Sequence, residues 1–228
     1  MVRVLFLLFF STHAYASVDG FLSASQAPKL PKKAFERIIA AFEVSFSPLA
    51  QREGRELEFL TDYDSDWIQA FARRWETDQV IVYGGAAAVA NGSEDTFALI
   101  LCHETGHLYG GSPVSDEHNF LSLEGQADYW AARECLGEML PTLSPRSPSK
   151  EALAYCLDEN RCARMIDAFL TLTAQFADNR NLPHPKLETP DATVVETMLL
   201  THPSPQCRLD TMIAGMRGES RPRCWFKP

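Results

Sequence analysis

Apolar residues recur at helical spacing in several long stretches of this chain. Phe35, Ile38, Ile39 and Phe42 fall on one face of residues 31–47 and predict an amphipathic helix, with Pro48 as its stop. Three shorter runs follow: RELEFLTDY, DWIQAFARRW and QVIVYGG. Polar turns at Asp62 to Asp66 and at Glu76-Thr77-Asp78 separate them, which predicts a small antiparallel meander. The middle run also fits a helix through Trp67, Phe71 and Trp75, whereas Val80-Ile81-Val82 reads only as a strand. Asn91-Gly92-Ser93 breaks the chain, and Ser93 or Asp95 caps a helix over DTFALILCHETGHLY that Gly110-Gly111 ends. A polar loop separates it from a second helix over FLSLEGQADYWAARECL. Pro141, Pro145 and Pro148 then lead to two further helical patterns, EALAYCLDE and RCARMIDAFLTLTAQFA. A loop with Pro183, Pro185 and Pro190 precedes a last helix starting near Pro205. The pattern predicts an α+β fold, mainly helical, with a small antiparallel sheet packed on the helix over DTFALILCHETGHLY.

The first sixteen residues, MVRVLFLLFFSTHAYA, stand outside this pattern. Arg3, the apolar run Val4 to Phe10 and Ala14-Tyr15-Ala16 form the three parts of a signal peptide. The run falls well short of the roughly 20 residues that a membrane-spanning helix needs. We therefore expect an exported chain, periplasmic or extracellular, with residues 17–228 as a single domain and no membrane span. Whether residues 17–30 are a prosegment or part of the fold is open at this point. Loss of Arg3 takes the net charge from −9 to −10, a surface that repels phosphate backbones, so no nucleic-acid partner is expected. Cys102, Cys135, Cys156, Cys162, Cys207 and Cys224 are an even set, which in an exported chain favours disulfides among the fifteen full pairings. Cys207 and Cys224 flank the last helix and can tie down the tail RPRCWF. Cys102 reads equally as a bridge or as a small buried hydrophobe.

The motif helix carries His103-Glu104-Thr105-Gly106-His107. Two histidines four apart lie about 40° apart around a helix and roughly 6 Å apart along it, so both can aim at one ion. Glu104 then stands beside the ion, placed to take a proton from water. A third ligand is required. The extension H-E-x-x-H-x-x-G-x-x-H begins with Gly110 but fails at Pro113, and His118 reads as a loop residue. Glu124 and Asp128 in LEGQADYW are again four apart, amid Leu121, Leu123, Trp130 and Cys135, where unpaired carboxylates are costly. Glu124 is the expected third ligand, and Asp128 the acceptor that fixes the tautomer of His103. Ala127 between them allows close helix packing.

These residues resemble the gluzincin metallopeptidases, which hold zinc by H-E-x-x-H and a glutamate in E-x-x-x-D on a later helix. VIVYGG, EGQAD and the stretch from His202-Pro203 to Arg208 are similar to features of the HtpX and CAAX prenyl protease-like group. Two departures are the short gap between the motifs and the lack of transmembrane helices. The resemblance implies a zincin-like domain with one Zn2+ on His103, His107 and Glu124, and Glu104 as general base. It implies that Val80, Ile81, Val82 and Tyr83 form an edge strand pairing with a peptide or unfolded-protein substrate. It also makes His202 and Arg208 candidates to stabilise the oxyanion, although Arg208 can instead pair with a structural acid and His202 can cap a turn. His184 reads as a loop residue. The expected activity is a zinc endopeptidase in which Glu104 deprotonates a zinc-bound water. The alternative is a non-catalytic, disulfide-stapled binding or chaperone-like protein whose zinc only cross-links helices. Substrate preference, disulfide connectivity and oligomeric state do not follow from the sequence.

Overall fold

In the computed structural model, which describes residues 28–115 and 120–228, helix α1 (Lys32–Arg52) turns Phe35, Ile38, Ile39, Phe42, Phe46 and Ala50 inward. The signal peptide read in residues 1–16, most of the 17–30 segment and His118 lie outside the described residues. Pro48 does not stop α1, contrary to expectation: the helix runs one turn beyond it. Pro48 and Val44, four residues earlier, are both exposed, so the carbonyl that proline leaves unpaired meets water. Phe46 and Ala50 meanwhile continue the buried stripe.

Strands β1 (Leu57–Asp62), β2 (Ala70–Arg74) and β3 (Asp78–Tyr83) form one sheet in the order β1-β3-β2. This corrects the meander. β3 pairs in parallel with β1, from Leu57 opposite Asp78 to Asp62 opposite Tyr83, and antiparallel with β2, from Ala70 opposite Val82 to Arg74 opposite Asp78. The turn at Trp75–Thr77 makes β2 and β3 a hairpin, and the longer link after β1 lets β1 take the far side. Val80 to Tyr83 therefore has a neighbour on both sides and is not the edge expected above; the edges are β1 and β2.

The sheet's inner face, with Phe59, Ala70, Ala72, Val80 and Val82 buried, packs toward α1 and α3 (Glu94–Tyr109). The ring of Phe35 meets that of Phe97 at 5.0 Å, and Phe42 meets Phe59 at 6.0 Å. A short helix, α2 (Gly84–Val89), joins β3 to α3. Ser93 caps α3 by accepting from the Thr96 amide, and Gly110 with the left-handed Gly111 ends it. Every residue from Asp95 to Leu108 is buried, so α3 is the central element. β4 (Val114–Ser115) and β5 (Leu121–Ser122) form a small antiparallel ladder before α4 (Glu124–Trp130). A π-helical turn, Ala131–Cys135, joins α4 to α5 (Leu136–Met139). Helices α6 (Lys150–Tyr155), α7 (Asn160–Asn179) and α8 (Pro205–Arg217) complete the α+β domain.

All six cysteines are paired: Cys102–Cys135, Cys156–Cys162 and Cys207–Cys224. Cys102 is thus a bridge, and it ties α3 to the turn after α4. Three disulfides fit an oxidising compartment. Among the described residues no helix is long and apolar enough to cross a membrane.

Candidate metal centre

α3 and α4 cross closely because neither presents a large side chain at the contact. A Cβ on Gly106 would lie 2.9 Å from the Ala127 carbonyl oxygen and 3.1 Å from its Cα. Gly106 therefore supplies the half of this close approach that Ala127 alone did not reveal. The crossing brings His103 and His107 on α3 to Glu124 at the first turn of α4, all three buried.

Both imidazoles are held from behind. His103 Nδ1–H donates to Asp128 Oδ1 at 2.8 Å, and His107 Nδ1–H donates to the Ser122 carbonyl at 2.7 Å. Each acceptor can only accept, so both tautomers leave an Nε2 lone pair pointing forward. These lone pairs converge: the two Nε2 atoms are 3.1 Å apart, His103 Nε2 is 3.3 Å from Glu124 Oε2, and His107 Nε2 is 3.7 Å from Glu124 Oε1. Three acceptors at one point repel unless a proton or a metal cation lies between them. Tetrahedral ligands about 2.0–2.1 Å from a zinc ion are roughly 3.3–3.4 Å from one another, which matches these separations. Glu124 Oε2 is also buried without a hydrogen-bond donor. The His103, His107 and Glu124 group can thus hold a metal ion.

No protein-family model, curated protein or solved structure matches the chain.

What the site can do rests on its own geometry. Arg208, fully buried on α8, grips Asp128 with two bonds, Nε to Oδ2 at 2.7 Å and Nη2 to Oδ1 at 2.6 Å. Its guanidinium also lies 4.0 Å from the Phe176 ring centroid. The approach of Nη2 to His103 Nδ1, 3.3 Å, is two donors sharing one carboxylate oxygen rather than a bond between them. Arg208 is thus placed behind Asp128, the pairing with a structural acid that competed with a direct catalytic role. His202, in contrast, reaches the site: its Nε2 is 3.2 Å from Glu124 Oε2, and its side chain remains a quarter exposed. Burial holds its pKa below the ordinary histidine value. His184 lies exposed, bonded to Asp178 at 2.6 Å, as a loop residue should.

Glu104 is 1 % exposed, and its Oε2 has no partner. The Ala72 amide on edge strand β2 donates to its carboxyl. Burial is the main cause that pushes its pKa up to about 8, while a nearby cation acts the other way. The residues sequence reasoning missed here are main-chain groups, the Ala72 amide and the Ser122 carbonyl. Any side chain can present them, so no residue pattern marks them.

Asp128 serves two cations, and its own pKa is held low: burial opposes the shift, and Arg208 and His103 outweigh it. Substituting Asp128→Asn removes the charge that both partners use. We expect metal affinity to fall about 10- to 100-fold, read by competition with a chromophoric chelator; unchanged affinity would refute the orienting role.

Without metal, His103 behaves differently from His107. Burial lowers both, but in His103 the charge and hydrogen bond of Asp128, with help from Glu124, outweigh it and push the pKa up to about 10. His107 is pushed down to about 4, chiefly by burial. At pH 7.5 the metal-free site therefore carries a proton on His103 that a metal must displace. Loading should release protons from His103 and, as the cation lowers its pKa, from Glu104, so affinity should rise with pH across the neutral range. Titration calorimetry in buffers of different ionisation enthalpy measures this; zero release would contradict it.

Proposed function

We propose that this chain is an exported zinc endopeptidase of the gluzincin kind, similar to the HtpX and CAAX prenyl protease-like group. The observation that supports the reading is the convergence of two imidazole Nε2 atoms and the Glu124 carboxylate beside a buried carboxyl, Glu104, that has a free oxygen. A closed structural site has no use for that carboxyl, whereas hydrolysis requires a base within reach of water. Two imidazoles and one carboxylate are a donor set suited to zinc. When bound, the ion supplies Lewis acidity to a substrate carbonyl and acidifies water.

The chain's own residues do the rest. Glu104 takes a proton from the attacking water and passes it to the leaving amine. The Ala72 amide holds Glu104 on the side of β2. His202, at the mouth of the site, donates to the oxyanion of the tetrahedral intermediate. Arg208 acts through Asp128, which keeps His103 in the ligating tautomer. An extended substrate lies along β2 rather than along β3, because β2 is an edge strand and its Ala72 amide reaches Glu104. Main-chain pairing of this kind favours unfolded or loop segments with little dependence on their side chains.

Cleavage of an unfolded, casein-like protein by the mature oxidised chain tests the proposal. We expect chelator-sensitive cleavage that zinc restores. Metal binding with no cleavage would leave the metal as a cross-link between helices and overturn the enzymatic reading.

A further inference from the structure

The tail after α8 lies against α4, the helix that carries Glu124 and Asp128. Trp225 is fully buried, and a Cβ added to Gly125 would sit 2.2 Å from its ring. Only glycine at 125, the residue after the ligand Glu124, admits this indole. The contact continues along α4: Arg221 Nε donates to Gln126 Oε1 at 2.6 Å, and the Tyr129 hydroxyl donates to the Glu219 carbonyl at 2.6 Å. Arg221 also covers the Tyr129 ring. One disulfide, Cys207–Cys224, anchors the tail, and it joins the residue before Arg208 to the residue before Trp225.

The other long-range bridge has the same relation to the site. Cys102 precedes the ligand His103, and Cys135 ends the π-helical turn after α4. Each bridge thus begins one residue before a group of the metal centre and ends on, or packed against, the segment holding Glu124 and Asp128. Cys156–Cys162 differs: it closes a six-residue separation between α6 and α7.

We infer that Trp225 and the Cys207–Cys224 bridge are positioning elements of the metal site, so that high-affinity metal binding requires the oxidised tail. This rests on the reading of His103, His107 and Glu124 as metal ligands. Glu124 is on the first turn of α4, where the main chain has least support from its own helix. The indole against Gly125 limits how far that turn can move, and a site that must be held within about 0.5 Å depends on such backing. Bridge formation takes two protons and two electrons from the thiols of Cys207 and Cys224. A disulfide donor accepts them by exchange and leaves as a dithiol. The chain then gains its metal, and with it any activity, only after reaching a compartment that supplies such a donor.

The test measures Zn2+ affinity by chelator competition, and the visible spectrum of the Co2+ form, for the oxidised mature chain and its variants. Far-UV circular dichroism monitors the fold. The double substitution Cys207→Ser with Cys224→Ser, and separately Trp225→Ala, should each lower affinity about 10- to 100-fold and alter the Co2+ spectrum. Trp225→Phe should recover most of the loss. Gly125→Ala, which displaces the indole while the bridge stays intact, should resemble Trp225→Ala. Cys156→Ser with Cys162→Ser should bind as the parent does. Affinity within twofold of the parent in the first pair and in Trp225→Ala would overturn the inference and leave the metal site intact. Equal losses in the Cys156–Cys162 control would also overturn it, as a general effect of lost stability. A parent chain that binds no metal would remove the functional reading as well.

Discussion

Glu104→Gln is expected to keep one metal ion per chain and to lose peptide hydrolysis by about a hundred- to ten-thousand-fold. Glutamine has the shape of the carboxylate, and its carbonyl oxygen can still accept from the Ala72 amide, so the local packing is retained. What it cannot do is take a proton. Burial raises the pKa of Glu104 above that of a free glutamate and a bound cation lowers it again, so the two oppose each other in the loaded site. A base whose pKa lies near the working pH both accepts a proton from water and gives it up to an amine. The decisive comparison is cleavage rate against metal content in the same preparation. Hydrolysis at the parental rate with full metal occupancy would exclude Glu104 as the base.

The second large effect concerns stability. Removing the ion leaves the two imidazoles and the Glu124 carboxylate facing one another at 3.1 to 3.7 Å in the centre of the domain. The proton on His103 relieves this only in part. At a free metal concentration a thousand times the dissociation constant, binding stabilises the fold by about 4 kcal/mol. For a domain of this size each kcal/mol moves the melting temperature by about 2–4 °C. A chelator should therefore lower the melting temperature of the chain by about 8–16 °C and abolish cleavage together, and added zinc should restore both. The three disulfides should keep the metal-free chain folded at room temperature, so the loss is reversible. A melting temperature that does not respond to chelator would contradict a buried metal centre.

Much of this arrangement is legible in the sequence because it depends on local chemistry. Ser93, Gly110 and Gly111 bracket α3 by capping and by left-handed backbone, and Ser204-Pro205 opens α8 in the same way. The histidine pair at four-residue spacing, and the second acidic pair at the same spacing, follow from helix periodicity alone. The order of the sheet does not. Three short strands with polar turns suggest a meander, and only the unbroken apolar run Val80-Ile81-Val82 hints at a central strand. The same error made Val80 to Tyr83 an edge strand, whereas the edges are β1 and β2. Pro48 misleads because a proline ends a helix only where the lost hydrogen bond is costly, and on a wet face it is not. Disulfide partners are equally hidden: fifteen pairings fit six cysteines, and the choice among them is made by how α3, α4 and α8 pack. The role of Arg208 depends on the same packing, since only the placement of α8 reveals that its fork closes on Asp128.

The most direct measurement is anomalous diffraction at the zinc edge from crystals of the oxidised chain grown with zinc. The account predicts one strong peak per chain within bonding distance of His103 Nε2, His107 Nε2 and the Glu124 carboxylate. No peak there, or a peak that Glu124 does not reach, would contradict it.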